Sequence, residues 1–390
     1  MRKIKYAVIG GGMMGKAHLD AICQLHATGL KEIELSAVCD LNIGTTEKMA
    51  GLVMKFQKQA PKIYTDYREM LEKMRFDAVD ICTMHESHHT IGCDCMQAGA
   101  NVLVEKPLGL TIKAARILID CAQKTGRLLA TAENYRRSPY YRMLAWAVSG
   151  GFIGKLRIAI LLDSSFSNLI VAGTPWRHER LASLGGHITD RGIHHADIFE
   201  LCGGRIDSVY ATTRLFVPER YQFNENGRMV CSVKCEVPDT CAGIYNYQSG
   251  TIGMYLITCA GAGQPLPFHD WKFIGSDGTI FGGHCIKNTG EIYERERMME
   301  FFFASLTPEK KEKYFPRGIT NEFAIEINDF VQAILKNRRP EVSGEQGLRN
   351  MAVNYALCES AYLGMPVDIK KVEDGEISGF QKKVDEHFGL

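Results

Sequence analysis

The sequence has no apolar run that approaches the roughly 18 residues needed to cross a bilayer. It has no excess of charge, because 46 basic and 45 acidic residues leave a formal net charge of +1. No block of like charges is present, so neither a nucleic acid nor a membrane surface is an expected partner. The first residues lack the basic region, apolar core and cleavage site of a secretory signal, which predicts a cytoplasmic protein.

Thirteen cysteines are present, but none of them is arranged as a C-x-x-C pair. The nearest spacings, Cys93–Cys95 and Cys231–Cys235, do not match metal-ligand patterns. Others, such as Cys39 and Cys82, fall within apolar strand-like runs, where a free thiol behaves as a small apolar residue. We therefore predict free thiols, no metal site and a reducing compartment.

The chain of 390 residues exceeds the size of a single compact core, and its pattern changes near residue 132. Before that point, apolar strands alternate with helices, which predicts an α/β domain with a doubly wound parallel sheet of the Rossmann type. After it, strand-like segments with hairpin-turn signals predict an α+β domain on a mostly antiparallel sheet. The predicted domains are residues 1–132 and 133–390, with no assignment for residues 284–320.

A glycine-rich turn, Gly10–Gly15, joins the first strand to the first helix and has the pattern G-x-G-x-x-G. The first glycine permits a tight turn, the second lets the backbone approach a pyrophosphate, and the third lets helix and strand pack closely. The helix N-terminus offers its N–H groups to the phosphates. A purely structural turn is the alternative. The predicted dinucleotide contacts are Gly10, Gly12, Met13, Met14 and Gly15.

Asp40 ends the second strand and follows Gly15 at close to the roughly 20-residue spacing of the acidic residue that binds the adenosine ribose. Its carboxylate would accept hydrogen bonds from the ribose hydroxyls and repel a 2′-phosphate, and no arginine follows it to receive that phosphate. NAD is therefore the predicted cofactor, in preference to NADP. An ordinary turn or N-cap role is the alternative for Asp40.

The run Asn101–Pro107 is typical of a buried central strand, and it ends in Glu105, Lys106 and Pro107. Ligands of open α/β sheets bind at the carboxyl ends of the strands, so Lys106 is a candidate working residue. Glu105, which would also lie beside the cofactor, either orients Lys106 by ion pairing or has a purely structural role. The Lys106–Pro107 bond is a candidate for the cis form, which X–Pro bonds adopt at small cost.

The preceding strand ends at Thr83, and His85 and His88 follow it closely. At the carboxyl end of a strand, these residues would line the cofactor cleft. A metal site is the alternative for the histidines, but partners for a closed site are not evident. We predict cofactor contacts from Thr83, His85 and His88, with a helix-start role as the other reading of His88.

In the second domain, a helix is predicted from about residue 191 to residue 202, after the turn Gly185–Gly186. Asp190, His194 and Asp197 lie on one stripe of this helix, because they are spaced i, i+4 and i+7. The alternative is an N-cap aspartate and a satisfied core histidine. The nearby turn and the upstream cofactor domain favour a functional pair.

These motifs together resemble the Gfo/Idh/MocA oxidoreductase family, which includes glucose–fructose oxidoreductase and inositol 2-dehydrogenase. The residues that carry the resemblance are Gly10–Gly15, Glu105–Pro107, the Asp190–Asp197 signature and Ser343–Gly347. The resemblance covers nearly the whole chain and implies a Rossmann domain followed by a domain with a large, open, mostly antiparallel sheet. In this family that sheet mediates dimers and tetramers, and most substrates are sugars, polyols and their derivatives.

Within the family, the run from Gly10 to His18 is similar to that of levoglucosan dehydrogenase and related sugar dehydrogenases. Two departures from the family pattern affect the expected cleft. The sequence has Thr83–His85 where Thr-Pro-Asn is usual, and His187 replaces the third glycine of a Gly-Gly-Gly turn. The identity of the substrate therefore stays open.

The resemblance implies oxidation of a secondary hydroxyl of a sugar, anhydrosugar or polyol, with hydride transfer to C4 of the nicotinamide. His194 would be the general base, since histidine ordinarily titrates near neutral pH, and Asp190 would orient it. Lys106 would stabilise negative charge on the reacting oxygen. The substrate contacts predicted by position are Lys106, Asn134, Tyr135, Trp176, Arg177, Asp190 and His194.

Three other functions stay open. One is an enzyme that retains NAD and oxidises a sugar carbon transiently, so that a bond can be eliminated, a glycoside cleaved or a centre epimerised. Another is a non-catalytic sugar sensor, which the set of Lys106, Asp190 and His194 disfavours because a sensor needs no hydride-transfer groups. The last is a diol or pyrrole-type reductase.

Overall fold

A computed structural model describes residues 3–165, 168–261 and 271–390. The chain divides into two compact units, here called unit 1 (residues 1–138 and 308–348) and unit 2 (residues 139–307 and 349–390). The return of residues 308–348 to unit 1 is a feature that the predicted division into two consecutive domains did not include. Residues 166 and 270, at the ends of two predicted strands, lie outside the described residues.

Residues 3–138 form an alternating series of strands and helices. The strands are β1 (Ile4–Ile9), β2 (Ile33–Cys39), β3 (Lys62–Tyr64), β4 (Ala78–Ile81), β5 (Asn101–Glu105) and β6 (Leu129–Ala132). The helices are α1 (Met13–Ala27), α2 (Ile43–Val53), α3 (Tyr67–Lys73), α4 (His88–Gln97) and α5 (Ile112–Thr125).

The six strands of unit 1 form one parallel sheet in the order β3-β2-β1-β4-β5-β6. This is the order of doubly wound dinucleotide-binding sheets, and it reverses direction between β1 and β4. β4 is buried at all four positions, as expected of a strand covered on both faces. The predicted Rossmann sheet is therefore confirmed, and its switch point lies next to the glycine turn.

Residues 139–307 form most of unit 2. Their helices are α6 (Pro139–Ser149), α7 (Arg180–Ser183), α8 (His187–Gly203) and α9 (Arg295–Ser305). Their strands are β7 (Leu156–Ser164), β8 (Ile206–Arg214), β9 (Glu219–Phe223), β10 (Met229–Lys234), β11 (Thr240–Tyr247), β12 (Ile252–Thr258), β13 (Trp271–Gly275), β14 (Gly278–Phe281), β15 (His284–Lys287) and β16 (Ile292–Tyr293).

The rest of the chain is mainly helical. It contains α10 (Pro308–Tyr314), α11 (Glu322–Leu335), α12 (Gly344–Leu363), β17 (Val367–Asp368), α13 (Ile369–Glu373) and α14 (Lys382–Phe388). Residues 284–320, which had no assignment from sequence, therefore comprise two short strands and two helices. In the described part of the chain, no helix combines the length and apolar character that crossing a membrane requires.

Nine strands of the described part of unit 2 form one sheet in the order β16-β15-β14-β13-β7-β12-β11-β8-β17. Only the neighbours β7 and β12 are parallel, so the predicted large and mostly antiparallel sheet is confirmed. One face of the sheet packs on α8, where the Phe199 ring contacts Tyr245, Tyr255 and Trp271.

The other face of this sheet carries large apolar side chains that are exposed in the single chain. Ile244 on β11 lies directly opposite Tyr210 on β8 and Met254 on β12, so the three side chains share one face. Each is close to half exposed, at 46%, 49% and 47% respectively. Ile252 on β12 is exposed to 48% on the same face. This apolar row is unusual for a surface in contact with water.

Candidate active site

The glycine turn of unit 1 shows why each glycine stands where it does. Gly10 has a φ of +95°, and a Cβ there would lie 2.5 Å from the Cys82 carbonyl oxygen. A Cβ on Gly15 would lie only 1.9 Å from the Gly10 carbonyl oxygen, so α1 can approach β1 only with glycine at this position. A Cβ on Gly12 would meet no protein atom within 4 Å. The turn therefore leaves open space beside the start of α1, as a bound pyrophosphate requires.

Asp40 lies beside this turn, directly after the end of β2. Its Oδ2 accepts a hydrogen bond from the Gly11 N–H at 2.8 Å, and its Oδ1 accepts one from the Asn42 N–H at 2.9 Å. The structure thus brings the predicted ribose-binding carboxylate to the predicted phosphate-binding turn. The residues present fit a dinucleotide, which Gly10, Gly12, Met13, Met14, Gly15 and Asp40 would hold.

The segment after β4, which is predicted to line the cofactor cleft, is held in place by contacts within unit 1. The Thr83 and Ser87 hydroxyl oxygens lie 2.7 Å apart, and His85 is only 5% exposed. His88 is the first residue of α4 and is fully buried; its Nδ1–H donates to the Pro107 carbonyl oxygen at 2.8 Å, and its Nε2 lies 3.1 Å from the Thr83 carbonyl oxygen. Both ring nitrogens therefore face main-chain oxygens. This geometry favours a supporting role for His88 over direct cofactor contact.

Glu105 and Lys106 lie at the carboxyl end of β5, beside the switch point of the sheet. The Lys106–Pro107 peptide bond is cis, as the sequence suggested. Glu105 is only 5% exposed, and its Oε2 accepts a hydrogen bond from the Lys106 main-chain N–H at 3.0 Å. Glu105 therefore contacts Lys106 through the main chain, a contact that neither alternative from the sequence, ion pairing or a purely structural role, specified.

Asn134 and Tyr135 follow the last parallel strand, β6. Asn134 is 7% exposed, and its Nδ2 lies 3.5 Å from Glu322 Oε1, at the long limit of a hydrogen bond. The Tyr135 main-chain N–H donates to Glu133 Oε1 at 3.1 Å. Both residues therefore lie at the same edge of the sheet as Lys106, and their predicted contacts with substrate stay predictions.

The second group of candidate residues lies on α8 in unit 2. This helix begins at His187, four residues before its predicted start, because Gly186 with a φ of +58° can precede it as the N-cap. A Cβ on Gly186 would lie 2.5 Å from the Val237 side chain. Asp190 in the first turn of α8 and His194 one turn later are 9% and 6% exposed. They share one stripe of the helix, as predicted.

Arg177 contacts Asp190, and its predicted contact with a substrate stays a prediction. Its Nε donates to Asp190 Oδ2 at 2.9 Å, and its Nη1 donates to the Thr174 hydroxyl oxygen at 2.6 Å. Its guanidinium carbon lies 4.3 Å from the centre of the Trp176 ring. The structure brings the predicted residues Trp176, Arg177 and Asp190 together, with Arg177 holding the carboxylate. The third residue of the helix stripe, Asp197, is fully buried and accepts a hydrogen bond from Asn350 Nδ2 at 2.7 Å, so its role is structural.

The sequence prediction missed a buried polar group in unit 1. The His18 ring on α1, the Asp80 carboxylate on β4 and the Cys82 thiol lie within 4.8 Å of one another in the interior, and the histidine is within hydrogen-bond distance of both of the others. His18 Nδ1 lies 2.9 Å from Asp80 Oδ2. The only available signal was a histidine three residues after Gly15, together with polar residues inside an apolar strand.

The sheet order and the glycine turn define a dinucleotide-binding Rossmann protein. The model of the oxidoreductase family with an NAD-binding Rossmann fold matches residues 4–133, and the GFO/IDH/MocA C-terminal domain matches residues 141–281. The chain therefore belongs to the Gfo/Idh/MocA family of NAD-binding oxidoreductases. The predicted family, enzyme class and cofactor are confirmed.

Similar proteins include myo-inositol 2-dehydrogenase of Thermotoga maritima, which is 24% identical over 380 residues, 95% of this chain and 99% of that protein. α-N-Acetylgalactosaminidase of Shewanella oneidensis is 29% identical over 160 residues, 40% of this chain and 34% of that protein. Among solved structures, levoglucosan dehydrogenase in complex with NADH and L-sorbose has a TM-score of 0.77 at 19% identity, covering 95% of this chain and 100% of that one.

Proposed function

We propose that the protein oxidises a secondary hydroxyl group of a sugar, anhydrosugar or polyol, with Lys106 and His194 handling the hydroxyl proton. The observation that carries this proposal is the position of Lys106 at the carboxyl end of β5, with its main chain held by Glu105. A similar protein over nearly the whole chain is a dehydrogenase of a polyol, myo-inositol. NAD, when bound, supplies the hydride acceptor.

Each of the candidate site residues then has a defined role in the reaction. A ring nitrogen of His194 accepts the proton of the substrate hydroxyl, and Asp190 orients that histidine from the preceding turn. The Lys106 ammonium donates a hydrogen bond to the same oxygen while negative charge develops on it. Trp176 offers an apolar ring to a sugar face, and Asn134 offers an amide to its hydroxyl groups.

The experiment is a screen of NAD reduction by inositols, anhydrosugars, aldoses and glycosides, followed through NADH absorbance. On any substrate found, Lys106→Ala and His194→Ala should each lose turnover, by about 100- to 1000-fold for the charge-stabilising lysine. Both should keep NAD affinity and thermal stability. Lys113→Ala is the matched control, because Lys113 is an exposed lysine in the first turn of α5 and is not among the candidate site residues. Full activity in either site variant would overturn the assignment.

A second function is a candidate because of the similarity to an α-N-acetylgalactosaminidase over 160 residues. In this version NAD stays bound, and a transient keto intermediate enables glycoside cleavage, elimination or epimerisation. The two functions differ in the fate of the hydride. A dehydrogenase accumulates NADH in proportion to substrate consumed, whereas an enzyme that recycles its NAD consumes an N-acetylhexosaminide without net NADH formation.

We further propose a cytoplasmic homo-oligomer, a dimer or tetramer assembled through the apolar row on the unit 2 sheet. The half-exposed Tyr210, Ile244, Ile252 and Met254 support this assembly, since a second copy of the same face would remove them from water. All thirteen cysteines are free, which supports a reducing compartment.

A further inference from the structure

His18 is a fully buried histidine on α1, and both of its ring nitrogens face carboxylate oxygens. Nδ1 lies 2.9 Å from Asp80 Oδ2, and Nε2 lies 3.1 Å from Glu105 Oε1. Ionised carboxylates only accept hydrogen bonds, so both nitrogens of this ring must donate. The Tyr6 hydroxyl also donates to Asp80 Oδ2, at 3.1 Å. The geometry is therefore that of an imidazolium ion placed between two carboxylates.

The surroundings agree with a charged His18. Burial by itself opposes the charge, but the adjacent Asp80 carboxylate holds the pKa of His18 well above its ordinary value. On the α11 side, Glu326 Oε1 lies 3.6 Å from Nε2, and the Phe323 ring centre lies 5.8 Å from the imidazole. Burial raises the pKa of Glu326 well above its ordinary value, which favours the neutral form of this carboxyl group. Burial likewise raises the pKa of Tyr6, so its hydroxyl keeps the proton that it donates to Asp80.

Glu105 connects this buried cation to the strand end. Its Oε1 faces His18, while its Oε2 accepts the Lys106 main-chain N–H. Without a positive partner at Oε1, a carboxylate that is 5% exposed would be an uncompensated charge, and it would turn or take up a proton. Turning would release the Lys106 N–H, and protonation would weaken the hydrogen bond that this N–H donates.

We infer that His18 is a positioning residue for Lys106: its imidazolium fixes the Glu105 carboxylate, and that carboxylate fixes the main chain at Lys106. The inference rests on the proposed function of Lys106 and extends it. Because His18 lies on the helix that follows the glycine turn, it ties the cofactor-binding helix to the strand that presents the lysine.

His18→Gln tests this role, since glutamine keeps polarity and approximate length but cannot donate to both carboxylates with a positive charge. We expect the amide hydrogen of Lys106 to exchange at least about tenfold faster in His18→Gln, as followed by hydrogen–deuterium exchange of the 101–110 segment. The matched control is His26→Gln on the same helix. His26 is also buried, but its Nε2–H donates to the Ile33 carbonyl oxygen at 3.0 Å, away from Glu105.

The kinetic arm uses NAD and the substrate found in the screen. His18→Gln should lower kcat by about tenfold or more with little change in KM or NAD affinity, and Glu105→Gln should do the same. The double variant should be no worse than either single one, because both changes break one chain of contacts. His26→Gln should keep its kcat even where its thermal stability falls.

The outcomes separate this inference from the proposed function. Unchanged exchange at Lys106 in His18→Gln, or equal acceleration in His26→Gln, would show that His18 only stabilises the core. If Lys106→Ala loses activity while His18→Gln stays fully active, the inference about His18 is overturned and the proposed function stands. If Lys106→Ala is fully active, the proposed function itself is overturned. If His18→Gln does not fold, the exchange measurement is made on Glu105→Gln instead. Normal protection of the Lys106 amide in Glu105→Gln would overturn the inference.

Discussion

The Nε of Arg177 lies 2.9 Å from Asp190 Oδ2, and the two side chains are only 13% and 12% exposed. This ion pair means that Arg177, predicted as a sugar contact, supports the carboxylate that is proposed to orient His194. Removing one partner of a buried pair leaves the other charge uncompensated.

Arg177→Met should therefore act on turnover more than on substrate binding. General acid–base groups contribute about 100- to 10,000-fold to rates, so mis-orienting one of them should cost about tenfold or more in kcat. Arg177→Lys should recover only part of this loss, because lysine lacks the planar fork that reaches both Asp190 and Thr174. Arg205→Met, which removes a 55% exposed arginine of unit 2, is the control. A rise in KM at unchanged kcat would instead return Arg177 to a substrate-contact role.

Two glycines of the turn should differ in what an alanine substitution affects, NAD binding in one case and stability in the other. Gly12 has a φ of −65°, which alanine adopts freely, and its Cβ would meet no protein atom. Gly12→Ala should therefore keep the melting temperature but weaken NAD binding by about tenfold or more in calorimetry, since the methyl group occupies the phosphate space. Gly15→Ala should lower stability by about 1–3 kcal/mol or more, because its Cβ collides with the Gly10 carbonyl oxygen. Equal effects of both changes on stability would contradict this division.

His178 should make unit 2 sensitive to acid. Its Nε2 accepts a hydrogen bond from the Val171 N–H at 3.1 Å, which needs the neutral ring, and burial lowers its pKa to about 4. A lowered pKa means that the folded state binds this proton less tightly than the unfolded state does. The contribution of His178 to the free energy of unfolding is therefore fully present above pH 6.5. It is lost as the pH drops towards 4, which lowers the free energy of unfolding by up to about 3 kcal/mol.

Urea unfolding at several pH values measures this effect. In His178→Gln the amide oxygen can accept from Val171 without titrating, so the slope of unfolding free energy against pH should become smaller between pH 6.5 and 4. A residual slope is expected from His187, whose pKa burial also lowers to about 4. An unchanged slope in the variant would exclude His178 as an acid-sensitive group.

The apolar row on the unit 2 sheet should control assembly. Ile244→Asp places a charge at the centre of the row, opposite Tyr210 and Met254, and should dissociate the oligomer to a monomer in light scattering. Met54→Asp is the control, because Met54 is an equally exposed apolar residue (47%) of unit 1. A monomer in the unchanged protein, or an intact oligomer in Ile244→Asp, would rule out assembly through this face.

The sequence predicted the elements whose side-chain pattern is complete within a short stretch. β1, β4 and β5 are apolar runs, and the hydrophobic faces and glycine ends of α4 and α5 mark helices, so the parallel sheet follows from connection rules. β3 was missed because its three residues are mostly exposed and carry no such pattern. β15 and β16 were missed because strands of four and two residues are too short for a period to show.

The site was predictable only where it consists of a local motif. The glycine turn, Asp40 and the end of β5 are each visible within a few residues. The contacts of Glu105 with His18 and of Arg177 with Asp190 join residues that only the folded chain brings together. The sequence predicted the start of α8 four residues too far along the chain, because two consecutive glycines suggest a loop. The positive φ that makes Gly186 the N-cap cannot be recognised from the sequence.

The path of the chain between the two units has a consequence for how the protein is made. Residues up to Ser138 complete the parallel sheet, yet α11, which packs on α1 and covers His18 with Phe323 and Glu326, is synthesised only after most of unit 2. At about 5–20 residues per second, a ribosome takes on the order of ten seconds or more to make the intervening segment. During that interval the nascent sheet carries its ionic cluster open to water on one side. A fragment ending at residue 138 would leave this ionic cluster exposed permanently. A chain that joins residues 308–348 directly to residue 138 should bury it.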